Sequence, residues 1–290
     1  MTTILVTGAS GQLGSEIREL SPRYSGYEFI FTDTGELDIT DAGATAAFMA
    51  EARPSWVINC AAYTAVDRAE DEEKLATLIN GTGVENIVSA LSGTGCRLIH
   101  ISTDYVFDGS SPVPYTEDDT TSPASAYGRS KMAGELAAMK WPNTLIIRTS
   151  WLYSEHGSNF VKTILRKAGS GQDLSVVFDQ AGSPTYAADL AAAIMEIISG
   201  VIRNRHNFVP GIFNYSNEGV CSWYDFACEI VREAGSPCLV TPVRSSAWPS
   251  RVNRPAFSVL DKGKIKDTYN LSIPHWRSSL INCITKINAT

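Results

Sequence analysis

The sequence predicts an α/β fold: a doubly wound parallel sheet followed by a smaller, less regular C-terminal domain. Three observations predict it. Short apolar runs alternate with helical patterns through the first half. A Gly-x-x-Gly-x-x-Gly turn directly follows the first of those runs. After Ser150 the rhythm breaks, and Pro, Gly, Ser and Trp become denser from Val209 to Pro255. Continuous apolar strands without polar alternation must be covered on both faces, which helices on either side of a parallel sheet achieve.

Each element follows in order. Ile4-Leu5-Val6 reads as the first strand, and Gln12 to Leu20 as the helix leaving it. Glu28 to Thr32 is a second strand. Ala42 to Arg53 patterns as a helix stopped by Pro54, which disfavours helical backbone in the residue before it. Trp56 to Asn59 is a third strand, Asp71 to Ser92 one long helix, and Arg97 to Ser102 a fourth strand. Tyr127 to Met139 is helical, and Thr144 to Arg148 is a fifth strand. Helices are expected again near Ala187 to Ser199 and Trp223 to Ala234.

Composition excludes several functions. The 290 residues are 44% hydrophobic and 19% charged, as in ordinary globular chains. A net charge of -7 argues against nucleic acid, which needs a basic face. A small anionic ligand remains compatible, because a helix N-terminus or a few cations can hold one. No apolar run of about 18 residues is present and no basic n-region precedes the first strand, so neither a membrane span nor a secretory leader is expected. Six scattered cysteines without a CxxC pair point to reduced thiols in the cytoplasm. Four widely spaced histidines give no zinc pattern.

Gly8, Gly11 and Gly14 sit in strand-turn-helix context. Glycines there let the backbone approach a pyrophosphate, and the helix N-terminus offers N–H donors and partial positive charge. Asp33 follows the second strand at a distance suited to an adenosine ribose. The expected fold is therefore Rossmann-like. Residues 1–150 would form the dinucleotide-binding domain, with a returning segment near 185–216. Residues 151–290 would mainly supply substrate-binding segments.

Tyr127 and Lys131 stand at i and i+4 on one helix face. A phenol titrates near 10, too high for acid–base work at neutral pH, and a neighbouring ammonium is expected to lower it. Ser102 and Thr103 end the fourth strand, where ligands of open α/β sheets bind. Strand alternation sends them to opposite faces, so only one should reach the tyrosine.

Longer stretches carry a resemblance. They are TGASGQLG (Thr7 to Gly14), INCAAYTAVDRAE (Ile58 to Glu70), ISTDYVFDG (Ile101 to Gly109) and PASAYGRSKMAGE (Pro123 to Glu135). RTSWLYSEHGSNFV (Arg148 to Val161), DQAGSPTYAADLA (Asp179 to Ala191) and RPAFSVLD (Arg254 to Asp261) continue them. In order, and over nearly the whole chain, they resemble the dTDP-4-dehydrorhamnose reductases of the extended short-chain dehydrogenase/reductase group.

The resemblance implies Tyr127 as proton donor, Lys131 as its lysine and Thr103 as the hydroxyl partner, with threonine where the wider group has serine. It implies cofactor contacts at Gly11, Gln12 and Leu13, at Asp33, Asp38 and Ile39 around the adenosine, and at Ala61, Ala62 and Tyr63. Some relatives have histidine at the Tyr63 position. Sugar-nucleotide contacts fall on Thr103, Asp104 and Trp151. The implied reaction is NADPH- or NADH-dependent reduction of the 4-keto group of dTDP-4-dehydro-β-L-rhamnose to dTDP-L-rhamnose, a cell-surface polysaccharide precursor. A cytoplasmic homodimer is expected. Some relatives use magnesium at a dimer contact. Glu16 matches one such position but the region of Asp189 does not align, so no metal ligand is assigned.

Two further residues are read from chemistry. Trp151 is expected at the domain cleft, its ring face against a deoxysugar methyl, the competing reading being a core residue. Arg254, before Pro255, is a candidate clamp for the substrate pyrophosphate, against a plain solvated loop arginine. Two other functions compete. A nucleotide-sugar epimerase or dehydratase would use the same fold, but dehydratases usually place a second acid where Tyr105 follows Asp104. A non-catalytic NADP-binding regulatory subunit would not need Tyr127, Lys131 and Thr103 together.

Overall fold

The computed structural model describes residues 2–247, 251–252 and 254–289. The first half runs β1 (Thr2–Thr7), α1 (Gln12–Leu20), β2 (Tyr27–Thr32), α2 (Ala42–Ala52), β3 (Trp56–Asn59), α3 (Val66–Ala69), α4 (Glu73–Thr77), α5 (Gly83–Ala90), β4 (Arg97–Thr103), α6 (Ala126–Ala138) and β5 (Thr144–Thr149). The second half holds β6 (Leu152–Tyr153), α7 (Phe160–Gly169), β7 (Leu174–Val177), β8 (Ala181–Gly182), β9 (Thr185–Tyr186), α8 (Ala187–Ile202), β10 (Gly211–Asn214), β11 (Cys221–Ser222), α9 (Trp223–Glu233), β12 (Val240–Val243), α10 (Gly263–Tyr269) and α11 (Trp276–Ala289).

Six parallel strands form the central sheet in the order β10-β5-β4-β3-β1-β2. Successive side chains of each strand enter different cores, as a pleated strand buried on both faces requires. Ile4, Val6, Trp56, Ile58, Ile99 and Leu145 pack with Ile17 of α1 and Leu190, Ile194 and Ile198 of α8. Leu5, Val57, Leu98 and Ile146 face the other way, onto Met49 of α2, Val84 and Ile87 of α5 and Ala138 of α6. Each such aliphatic side chain contributes about 1.5–3 kcal/mol by leaving water. α8 and β10 return from the second half, α8 against α1 and β10 beside β5. A separate core joins Val161 and Ile164 of α7, Phe226 and Ile230 of α9, and Leu280 and Ile284 of α11. β7 and β12 pair in parallel beside it.

The chain steps from β1 outward to β2, then back across β1 to β3. The crevice between β1 and β3 is the topological switch point at which such sheets bind ligands.

One expected element differs. Within Asp71 to Ser92 the chain stays helical from Glu73 to Ala90, but Leu78–Thr82, between α4 and α5, forms a wider turn. The cause is tertiary. Asn80 lies in that turn, accepts from the Tyr63 amide (2.8 Å) and donates to the Tyr63 carbonyl (3.0 Å) and the Ser130 hydroxyl (2.9 Å). Gly83 beside it lets Ile39 press in, since a Cβ there would lie 2.8 Å from Ile39 Cδ1. Periodicity cannot report a side chain recruited by a distant loop.

Candidate active site

A cavity of about 990 Å³ lies beyond the carboxyl ends of the central strands. Its cofactor-sized end is built from backbone. Gly8 has φ +64, and a Cβ there would sit 2.6–2.9 Å from Ala61 N, Ala61 Cα and the Cys60 carbonyl carbon. The turn after β1 and the exit from β3 thus touch, and only glycine fits between them. At Gly14 a Cβ would meet Ala9 Cα at 2.6 Å, so α1 packs directly on the turn. No side chain caps the start of α1, where Gly11, Gln12 and Leu13 line the cavity. This uncapped N-terminus and its glycine cradle fit a dinucleotide pyrophosphate.

The walls follow. Asp33 Oδ2 accepts from the amide (2.9 Å) and hydroxyl (2.5 Å) of Ser10, which ties it to the glycine turn. Asp38 Oδ1 accepts from the amide and hydroxyl of Thr40 (2.9 and 2.7 Å). Asp33, Asp38, Ile39, Ala61 and Ala62 all line the cavity. Tyr63 is not among the lining residues. Asn80 pins its backbone, and its hydroxyl donates to Glu72 (2.6 Å). Gln12 also spans to the second half: its Oε1 accepts from Asn159 Nδ2 at 2.9 Å.

The opposite end is built from buried side chains. Ser125 caps α6 by accepting from the Gly128 amide at 3.0 Å, which starts the helix just before Tyr127. Tyr127, Lys131, Thr103 and Asp104 line the same space. The Thr103 hydroxyl lies near enough to the Tyr127 phenol to pull its pKa down, and it donates to Asp104 Oδ1 (2.9 Å). Ser102 turns away and donates to Glu135 (2.6 Å), so threonine is the hydroxyl that reaches the tyrosine.

The protein's own surroundings push the Tyr127 phenol the other way from the expected lowering by Lys131. Burial pushes it up, Asp104 and Tyr105 add to that, and only Thr103 pulls it down. Burial is the main cause, and the Lys131 ammonium donates to the Ile101 carbonyl (2.6 Å). Burial lowers Lys131 to about 8, against an opposing pull from Glu135. Asp104 is only 3% exposed, and burial raises it to about 6 against the pull of the Thr103 and Ser258 hydroxyls beside it.

Trp151 and Arg254 also reach the cavity. Trp151 has φ +50 and stacks on Trp223, centroids 3.5 Å apart and planes 8° from parallel. One ring face is therefore covered by Trp223. Arg254 Nη2 donates to both oxygens of Asp67 (3.0 and 2.7 Å). Sequence reasoning missed Trp223, Asp67 and Glu135. Only Trp223 had a local signal, a capping box formed by Ser222 and Asp225 at the start of α9.

A second group of acids lies outside the cavity lining. Ligand atoms of Glu16, Glu19, Glu155 and His156 come within 4.8 Å of one another. Lys286 Nζ sits 2.5 Å from Glu155, 3.6 Å from Glu19 and 3.7 Å from Glu16. Burial, with Glu155 beside it, pushes the Glu16 carboxyl up. Asp189 instead accepts from Asn217 (2.7 Å) and Ser279 (2.5 Å). Lys286 is the cation that faces this group.

Comparison with known proteins decides the family. The profile of the RmlD substrate binding domain matches residues 1–289. The chain belongs to this family. It is 42% identical to the spore coat polysaccharide biosynthesis protein SpsK of Bacillus subtilis, over 97% of this chain and 96% of that one. A crystal structure of a dTDP-4-dehydrorhamnose reductase from Clostridium acetobutylicum superposes with a TM-score of 0.92 at 40% identity, covering 99% of this chain and all 100% of that one. The dTDP-4-dehydrorhamnose reductase of Bacillus anthracis, solved in complex with NADP, gives 0.93 at 38% identity, with coverage of 99% and 100%.

Proposed function

We infer that this RmlD-family protein reduces the 4-keto group of dTDP-4-dehydro-β-L-rhamnose to dTDP-L-rhamnose with NADPH or NADH. What carries the reading is one cavity that joins a side-chain-free cradle at Gly8 and Gly14 to the buried Tyr127, Thr103 and Lys131. The NADP-bound relative supports the cofactor, and the names of relatives support the substrate. SpsK links such chemistry to a spore coat polysaccharide.

A bound reduced nicotinamide supplies the hydride for the ketone carbon. Tyr127 supplies the proton to the ketone oxygen. Its raised pKa keeps it a full phenol until the oxygen gains charge, and Thr103 aligns phenol and carbonyl. Lys131 spends one of its three protons on Ile101, which leaves donors for a ribose hydroxyl and for the tyrosinate after transfer. Asp104 takes a sugar hydroxyl. Tyr105 packs edge-on against Tyr127 (5.5 Å, 76°) where a dehydratase would need an acid.

We propose further that residues 1–150, with the returning segment near 185–216, hold the cofactor while the remaining segments wall the sugar nucleotide. A cytoplasmic setting is supported by unpaired cysteines. No helix among the described residues is long and apolar enough to cross a membrane. The homodimer implied by the resemblance is checked by light scattering. The reaction is tested by cofactor absorbance: purified protein should oxidise one NADPH per 4-keto sugar nucleotide consumed. Sugar-independent binding without oxidation would instead mark a regulatory subunit.

A further inference from the structure

Two indoles share the sugar end of the cavity. Trp151 leaves β5 in left-handed backbone, its carbonyl accepting from the Thr185 amide at 3.2 Å. A β-carbon-bearing residue stays in that region only where its surroundings over-determine it. Here they do. Gly182 passes so close that a Cβ there would lie 2.6–2.8 Å from Cε2, Cζ2 and Nε1 of Trp151. Trp223 covers a ring face at 3.5 Å, and planes at that spacing admit no sugar ring between them. Phe160 holds Trp223 in turn, at 4.6 Å and 55°. Trp223 is the first residue of α9, whose Phe226 and Ile230 root it in the second core. Both indoles line the same cavity as Thr103 and Asp104, and Trp151 follows Thr149, the partner of Thr103 in the sheet, by two residues.

We propose that Trp223 is a specificity-determining residue of the sugar site. Its stack fixes the Trp151 indole, and the pair forms one apolar wall for the C6 methyl of a 6-deoxy-4-ketohexose. The inference rests on the reaction assigned above and deepens it. A methyl against this wall leaves water favourably. A C6 hydroxyl would lose its water and find indole carbon. The discrimination is moderate, because an apolar pocket rejects an added hydroxyl by only about 100-fold.

The test compares wild type with Trp223→Ala and Trp223→Phe in the full chain. With a dTDP-4-keto-6-deoxyhexose, Trp223→Ala should raise KM about tenfold and change kcat far less, because a binding wall is lost and the acid is not. Its preference for the 6-deoxy over the 6-hydroxy sugar nucleotide should shrink. Inhibition by dTDP, which lacks the sugar, should not change, and Trp223→Phe should recover most of the affinity. In wild type, the circular-dichroism couplet of the stacked indoles should respond to the sugar nucleotide and not to dTDP. An unchanged KM in folded Trp223→Ala, or an equal loss of dTDP affinity, would overturn the assignment. A couplet blind to the sugar would overturn it without any variant. Absence of wild-type turnover would sink the reaction reading itself. Normal turnover with an indifferent Trp223→Ala removes Trp223 alone.

Discussion

The two ends of the cavity are built from opposite materials. At the cofactor end the useful feature is what is missing: Gly8 and Gly14 carry no Cβ where neighbouring backbone leaves no room for one. At the chemical end the useful features are polar side chains taken out of water: Tyr127, Lys131, Thr103 and Asp104. Such groups are costly to bury, so they need support behind them. Glu135, 0% exposed, and Arg148, 2% exposed, form a bidentate pair (2.9 and 2.8 Å), and Ser102 donates to the same carboxylate. Glu135 lies two helical turns beyond Tyr127 on α6, and Ser102 precedes Thr103 on β4. Glu135 therefore ties α6 to β4 through Ser102 and to β5 through Arg148. A backbone cradle is specified locally, whereas a buried polar site is specified by everything packed around it.

Removing the phenol separates the two ends most sharply. Tyr127→Phe should lower kcat by ~10²–10⁴, the range for a positioned acid. Its cofactor Kd, measured by fluorescence titration, should stay near wild type. A parallel loss of cofactor affinity would mean the ends are not independent. The pH profile probes the same end. Lys131 is charged below about 8 and loses that charge as pH rises through it. kcat/KM should therefore fall across that window, while Tyr127, pushed upward by burial, remains a phenol.

Breaking the support should affect stability first. Glu135→Ala leaves Arg148 buried and unpaired, a loss of about 3–5 kcal/mol. Denaturant unfolding would measure it. A change below about 1 kcal/mol would mean that the pair relaxes into water and does not brace the site.

Particular residues show how far the sequence could be read. The strands, the glycine turn and the Tyr127–Lys131 spacing were legible because each is a local pattern with a period or a steric rule behind it. The upward push on Tyr127 was not, because it comes from burial among elements packed around it. Asn80 sits in a widened turn of its helix and bonds Tyr63, 17 positions earlier. The Trp151–Trp223 stack and the Arg254–Asp67 pair join segments that no spacing rule connects.

Arg254 gives the next smaller effect. It is 34% and Asp67 57% exposed, and a pair that wet is worth about 0–1 kcal/mol. A substrate phosphate can displace Asp67 from it. Arg254→Ala should raise KM for the sugar nucleotide about tenfold with cofactor Kd unchanged, as loss of a remote clamp does. Asp67→Asn should act oppositely and lower KM slightly, since it frees the guanidinium. If both variants moved cofactor affinity instead, Arg254 would belong to the other end.

Asp33 tests the cofactor end alone, and its effect should be the smallest. A carboxylate beside the adenosine ribose accepts a hydrogen bond from a free 2′-hydroxyl and repels a 2′-phosphate. Here one oxygen is already engaged: Asp33 Oδ2 takes both the amide and the hydroxyl of Ser10. That tether draws charge toward the glycine turn, and Asp33 is only partly buried, so water and salt weaken the repulsion. Both cofactors should therefore serve, with kcat/KM differing by less than ~100-fold, each tenfold step being about 1.4 kcal/mol. Asp33→Ala should shift the ratio toward NADPH, because it removes the charge and releases the Ser10 hydroxyl as a donor for phosphate. Ser10→Ala supplies the opposite perturbation. It frees Asp33 Oδ2 to turn to the ribose, and the ratio should move toward NADH. Steady-state rates with each cofactor measure both shifts. If neither variant moves the ratio, Asp33 only braces the turn, and the cradle at Gly8 and Gly14 alone defines how the cofactor end works.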